Sequence, residues 1–551
     1  MTQSPPHIIQ TKPDGDVSRI QTDQDKALQP GEIELVKWER NVKMKTLVNL
    51  TLTTLAVASL LAPAYAQQDQ TIFELGAAEV KQTSKDFKPA PAEFKTDFGQ
   101  LQFTGGGYPT RETAQKVWDQ MDLQRATQAY YDFIPALSMH GILKAQVRDY
   151  GARSSSDVLV FADRMNSEPL WLTGNVDSIY AMLTIDMKKD GPLVIEVPPG
   201  VMGPLDDAYF RFVVDFGATG PDKGKGGKYL LLPPGYDGPV PEGYFVARST
   251  SYRLWGLMRA NPGEGDKAMK YYRQLKVYPL DQPGRKGRYT NISGLPLNSL
   301  APEGIEAFQW LHEIIEHEPV DFVNKELLGR LAALGIEKGK PFNPDARMQR
   351  ILEQAAELAV AMARTNAFDS RDPEVKVYPD RRWETVFIGG SSAFEKRGYR
   401  NLDARTLYHY GCIVNTPAMA AVMPEGLGSK YLFVYKDADG NYLDGSKNYK
   451  LHIPPNVPVK DFWSVTIYDP ATRSQLQTSK EFPSIGSQAL PGTNPDGSID
   501  IYFGPKPPKG KEKFWLETLP GKGWFPVFRI YGPLKAYNDK SWKPSDIEFI
   551  K

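Results

Sequence analysis

Residues Asn448 to Asp469 read NYKLHIPPNVPVKDFWSVTIYD. The stretch predicts a strand, a Pro-rich turn and a second strand. Successive side chains of a strand point to opposite faces, so Trp463, Val465 and Ile467 share one face of the second strand. Phe462, Ser464, Thr466 and Tyr468 share the other. The first face is wholly apolar, and the second mixes aromatic and polar groups. Such a strand packs a core on one side of its sheet and leaves the other side to line a groove or pocket.

The same reading extends both ways along the chain. Tyr431 to Tyr435, Ser498 to Phe503 and Phe525 to Tyr531 are further strands. Asp437-Ala438-Asp439-Gly440 and Asn494-Pro495-Asp496-Gly497 are hairpin turns. Tyr408 to Val422 is apolar and fits a strand or a helix. In the N-terminal half, Ala181 to Met187, Leu193 to Val197, Ala208 to Phe216, Lys228 to Leu232, Phe245 to Ser249 and Ser251 to Met258 read as strands. They are punctuated by turns such as Pro198-Pro199-Gly200. Strands at this spacing without intervening helices indicate an antiparallel sandwich or barrel.

Helical periodicity occupies two regions. Thr110 caps a helix whose stripe is Val117, Trp118, Met121, Ala126, Tyr130, Phe133 and Leu137, with Pro135 expected to bend or break it. From Pro302 to Thr365, Ile305, Phe308, Leu311 and Ile315 begin a set of amphipathic helices. The fold class is therefore mainly β with helical insertions: two antiparallel β-sandwich domains joined by an α-helical connector. The divisions fall at 67–300, 301–370 and 371–551.

The chain has 551 residues, enough for two or more domains with full cores. Its 66 basic and 66 acidic residues cancel, so charge points to neither nucleic acid nor an anionic membrane surface. The single cysteine, Cys412, excludes an intrachain disulfide and a Cys-based zinc site.

Met44 to Ala66, MKTLVNLTLTTLAVASLLAPAYA, has a basic start, a short apolar run and an Ala64-Tyr65-Ala66 cleavage pattern. It reads as a secretory signal peptide, which places the mature chain in the periplasm or outside the cell with no stable membrane span. Residues 1–43 are polar and aperiodic, and read as a disordered leader upstream of a translation start at Met44.

Two groups of motifs resemble known domains. NVDSIY (175–180), GPLVIEVPP (191–199), DAYFRFVVDFGA (207–218) and GKYLLLPPGY (227–236) resemble the domain of unknown function numbered 1254. YPDRRW (378–383), LDARTLYHYGC (402–412), DADGNYLDGSKNYKLHIP (437–454), DFWSVTIYD (461–469), DGSIDIYFGP (496–505) and RIYGP (529–533) resemble the domain numbered 1214. The resemblance implies two jelly-roll-like β domains with helical additions, and no established reaction.

Motifs for known chemistry fail on spacing. His312 and His317 lie five apart, not on one helical face as HExxH requires, and His312–Glu316 and Glu313–His317 read as surface ion pairs. Asp437 to Asn441 starts like a calcium loop, but Gly440 falls at position 4 and Asn448 stands at position 12. The Gly- and Lys-rich loop 220–228 lacks phosphate-loop spacing. There is no GxSxG elbow. Cys412, three residues from His409, reads as a small core residue. No metal and no cofactor is expected.

The remaining candidates are polar groups set in β motifs: Asn175, Asp177 and Tyr180 in one half, Asp403, Arg405, Tyr408, Tyr468, Asp469, Arg473, Arg529 and Tyr531 in the other. Charges among apolar residues either pair with each other or face a cavity. In a site, Arg473 and Arg529 would bind a carboxylate, sulfate or sugar oxygen, with Asn175, Arg405, Tyr408 and Tyr531 also on the substrate. Asp177, Tyr180, Tyr468 and His140 would supply acid, base or stacking groups. The expected activity is a cofactor-independent hydrolase acting on a small organic or carbohydrate-like molecule. The alternative is a glycan- or ligand-binding or assembly-forming protein without turnover. The expected partners are a small-molecule or saccharide ligand, no nucleic acid, and further copies of the chain in a homo-oligomer.

Overall fold

The computed structural model describes residues 84–551. Residues 1–43, read as a leader, 44–66, read as a signal peptide, and 67–83 lie outside the described residues. Residues 84–113 belong to one compact unit and 114–551 to another. The described part of the first is a three-stranded sheet, Glu93–Thr96, Gly99–Thr104 and Tyr108–Pro109. Phe94 and Phe103 stack across it, and the Thr110 hydroxyl accepts from the Thr113 N–H at the following helix start.

The second unit is mainly β, with helices. In its N-terminal half a six-stranded sheet runs in the order Tyr289–Asn291, Val158–Phe161, Ile179–Asp186, Arg253–Ala260, Gly203–Asp207, Phe212–Phe216. A four-stranded sheet of Phe245–Arg248, Gly227–Leu232, Leu193–Val197 and Lys276–Pro279 lies against it. Val158, Val160, Leu183 and Ile185 of the first meet Leu193, Ile195, Leu231 and Val277 of the second in one buried core.

The C-terminal half repeats the plan. One sheet is Ser429–Phe433, Phe525–Pro533, Val459–Tyr468, Ser484–Gly486, and the other is Trp515–Glu517, Ile499–Gly504, Asn448–Ile453, Glu548–Ile550. Trp463, Val465 and Ile467 pack with Phe528 and Ile530 against Leu451, Ile453 and Ile501. Pairing is mostly antiparallel. The edge strands Phe245–Arg248, Tyr289–Asn291 and Trp515–Glu517 pair in parallel, because the chain reaches each by a long connection instead of a hairpin.

The helix Arg111–Tyr150 runs through Pro135 without ending. Pro135 has no N–H to offer the carbonyl four residues back. Carbonyls there find other donors: Thr406 Oγ1 on Tyr131 O at 3.5 Å, and the Tyr209 hydroxyl on Asp132 O. The expected stripe is buried only from Ala126 onward, since Trp118 and Met121 are exposed. From Ala126 to Leu137 the helix shares a core with Glu306–His317, Lys325–Ala332 and Ala346–Phe368.

Two local expectations are corrected. Residues 402–411 form a helix, Leu402–Gly411, capped by the Asn401 side chain, so Arg405 sits on a helix and not on a strand, and of the two readings at Tyr408 the helical one holds. The pair Glu313–His317 does not form. Glu313 turns to His140 at 2.8 Å and His317 to Asp186 at 3.0 Å, because partners on neighbouring elements offer better-buried contacts than an exposed intrahelical pair.

Candidate functional site

The second face of Val459–Tyr468 is not an open groove. It meets the loop and strand start at 173–180 of the N-terminal half. Ser464 Oγ donates to Asp177 Oδ2 at 2.5 Å, and the Tyr468 hydroxyl donates to Gly174 O at 2.5 Å. Beside these contacts the two halves leave a cavity of about 300 Å³.

Strands of both halves bring charged and aromatic groups to its wall. Phe525–Pro533 is buried along its whole length, and Arg529 and Tyr531, two residues apart, share the face turned to the N-terminal half. Tyr531 stacks on Phe462 with ring centres 4.2 Å apart. Its hydroxyl accepts from Asn175 Nδ2 at 2.9 Å, and the same amide also bonds the Tyr180 hydroxyl. Opposite, Arg253–Ala260 brings Leu257 and Arg259 to the cavity, and Gly203 and Asp215 come from the neighbouring strands. Trp171, Phe387, Tyr408, Met419 and Phe433 make the remaining wall largely apolar.

The charges in this wall are unusual. Arg529 is only 2% exposed. Its Nη2 donates to Thr173 O at 2.5 Å, and its Nη1 has no hydrogen-bond partner among the described residues. The Arg259 guanidinium lies 5.1 Å from the centre of the Tyr531 ring, with a long 3.4 Å contact to Ser429 Oγ. The Asp215 carboxyl is pushed up to about 6 by burial, although both of its oxygens accept from the Thr416 hydroxyl at 2.9 and 2.8 Å. Burial likewise pushes the Cys412 thiol up to about 12, which keeps it protonated and poorly nucleophilic.

The residues singled out from sequence divide into two sets. Asn175, Tyr180, Tyr408, Arg529 and Tyr531 line the cavity. The others are held elsewhere. Asp177 faces Ser464, with its carboxyl raised by burial. Tyr468 is spent on Gly174 O and stacks with Phe525. Arg405 pairs with Asp132 at 3.3 Å. Arg473 pairs with Glu303 at 3.3 Å and covers the Tyr410 ring at 4.2 Å. His140 bonds Glu313 and packs edge-on to Trp310, and its buried ring is held below the usual histidine range. Asp403 accepts from the Tyr131 hydroxyl, and Asp469 pairs with Lys522.

Sequence reasoning missed Arg259 and Asp215. The signal existed: each is a charge in a largely apolar strand, RLWGLMRA and FVVDF, the same test that raised Arg529. Among the described residues, no group of three or more His, Cys, Asp or Glu side chains converges as metal ligands would. None of their helices is long and apolar enough to cross a membrane.

Comparison with known proteins places these strands. The family described as "Protein of unknown function (DUF1254)" matches residues 157–279, and "Protein of unknown function (DUF1214)" matches residues 428–535. The chain carries both domains of this two-domain family. The first match ends on the strand Lys276–Pro279, and the second holds Ser429–Phe433 through Phe525–Pro533, so the cavity draws on both. No curated protein matches the chain. Among solved structures, the VPA0106 protein of Vibrio parahaemolyticus is 19% identical, with a TM-score of 0.44 over 78% of this chain and 100% of that one. An uncharacterised protein from Burkholderia cenocepacia is 14% identical, with a TM-score of 0.37 over 80% of this chain and 97% of that one.

Proposed function

We propose that the protein binds a small, largely apolar organic molecule in the cavity between its two β domains, and that binding rather than hydrolysis is its activity. The observation that carries this reading is a cavity of ligand size whose wall is mostly aromatic and aliphatic, with a few convergent polar groups. Hydrolysis is less well supported, because the acid and base groups assigned to it are committed to other partners. Asp177 is held by Ser464 and His140 by Glu313.

In this reading each half is a jelly-roll-like sandwich, the helices of 301–370 connect the two, and the mature chain acts in the periplasm or outside the cell. Each sandwich turns one sheet face to its own core and one to the shared cavity.

Titration with the fluorophore 8-anilinonaphthalene-1-sulfonate tests the reading. Ala218 lines the cavity and is half-buried, so Ala218→Trp fills part of the space while leaving the sheets intact. The native chain should bind one fluorophore saturably, and Ala218→Trp should lose that binding while keeping its circular dichroism. Equal binding by both proteins rejects the cavity as the site.

A further inference from the structure

The two arginines of the cavity define what kind of molecule it takes. Buried arginines elsewhere in this protein have carboxylate partners: Arg405 has Asp132 and Arg473 has Glu303. Arg259 and Arg529 have none within ion-pair distance among the described residues. Asp177 and Asp215 act on them only at longer range, and each carboxyl is occupied by a hydroxyl, of Ser464 and Thr416 respectively. Arg529 is buried and Arg259 half-buried. A guanidinium without a carboxylate is costly in such a setting, so two of them at one cavity call for an anion from outside the chain.

Their geometry narrows the anion. Arg529 is fixed by Nη2 on Thr173 O, and its Nη1 is buried without a hydrogen-bond partner among the described residues. Arg259 comes from the opposite domain and lies over Tyr531, two residues from Arg529 on the same strand face. A guanidinium offers its donors in a flat fork that matches a planar carboxylate. Around the cavity Arg259, Arg529 and Lys460 carry three positive charges against the carboxylates of Asp215 and Asp461, an excess that a single negative charge cancels. Beyond the arginines, Trp171, Leu257, Phe387 and Phe433 give the wall an apolar stretch with no polar match to offer.

We propose that Arg259 and Arg529 together receive the carboxylate of an amphipathic organic acid, whose aliphatic or aromatic body fills the rest of the cavity. The proposal rests on the cavity being a ligand site, as argued above. Arg259 is then the specificity residue, because a long 3.4 Å bond to Ser429 Oγ and the Tyr531 ring hold it less firmly than Thr173 O holds Arg529.

Isothermal titration at pH 7.5 with octanoate, octanol and octanesulfonate tests it. On the native chain octanoate should bind at least about tenfold more tightly than octanol, as a charge-assisted pair of hydrogen bonds requires. Arg259→Gln should bring octanoate down to the level of octanol and leave octanol unchanged. Arg259→Lys keeps the charge without the fork and should retain part of the preference, which serves if the glutamine variant fails to fold. Equal affinity of octanoate and octanol for the native chain, or an undiminished preference in Arg259→Gln, overturns the proposal while leaving the cavity a ligand site. Tighter binding of octanesulfonate than of octanoate overturns the choice of a carboxylate. Binding of none of the three overturns both readings.

Discussion

Arg529, on a central strand of the C-terminal half, donates through Nη2 to the carbonyl oxygen of Thr173 in the N-terminal half, at 2.5 Å. The bond spans the two β domains and forms one corner of the cavity between them. Two aromatic rings, of Tyr468 and Tyr431, lie 5.4 and 6.0 Å from the same guanidinium and offset part of the cost of its buried charge. Replacing Arg529 by Ala should therefore weaken the whole fold, by about 2–3 kcal/mol for a lost charge-assisted bond. Urea denaturation followed by circular dichroism measures this, and an unchanged midpoint would show that the contact between the domains does not depend on it.

Asp132 gives a second case. Its side chain is nearly inaccessible and pairs with the equally buried Arg405, while Arg330 approaches from the surface. Asp132→Ala leaves Arg405 buried and unpaired, at a cost of about 3–5 kcal/mol. Arg330→Ala should cost less than about 1 kcal/mol, since its side chain is 40% exposed. Comparable losses in the two variants would contradict the assignment of Arg405 to structure.

Gly203 stands in the cavity wall with φ at +148°, and a Cβ there would fall 1.9 Å from the Leu257 carbonyl oxygen. Leu257 also lines the cavity, so no side chain fits without moving that strand. Gly203→Ala should lower stability by more than about 2 kcal/mol and weaken binding of a cavity ligand together with it. Thermal unfolding and fluorophore titration of the same preparation would reveal any separation of the two effects.

Asp215 makes a pH prediction. Burial raises its carboxyl to about 6, above its unfolded value, so the native state holds the proton more tightly than the unfolded chain does. The stability it contributes is complete below about pH 4 and is lost as pH rises through about 6, a span of about 3 kcal/mol. Glu318, raised to about 7, acts in the same sense. Buried His140 and His409, held below the usual range, act in the opposite sense, so the difference between two proteins is the quantity to measure. Asp215→Asn should gain on the native chain as pH rises from 4 to 7. A difference that stays flat with pH would mean that Asp215 is not buried as described.

Much of this was legible in the chain. The alternation of Trp463, Val465 and Ile467 gives the core face of their sheet directly, and the resemblance named both domains. What alternation cannot give is the occupant of the second face. Ser464 and Tyr468 read as groove residues because a strand pattern records polarity without recording which distant segment covers it. Here 173–180 does, from nearly three hundred residues away. Pro135 misled for a related reason: its lost backbone bond is offset by Thr406 and Tyr209, partners that no local window contains. Arg405, Arg473, Arg259 and Arg529 cannot be sorted by their local sequence into paired and unpaired. Only the placement of Asp132 and Glu303 separates the two that are paired from the two that are not.

The occupant of the cavity, and the groups that hold it, decide what the protein does. Crystals grown with 4-bromobenzoate would answer most directly, since anomalous scattering locates the bromine without reference to the rest of the map. The expected result is one bromine site among Trp171, Leu257 and Phe433, with the carboxylate oxygens within hydrogen-bond distance of Arg259 and Arg529. A bromine found only outside that cavity, or a carboxylate turned away from both guanidiniums, would contradict it.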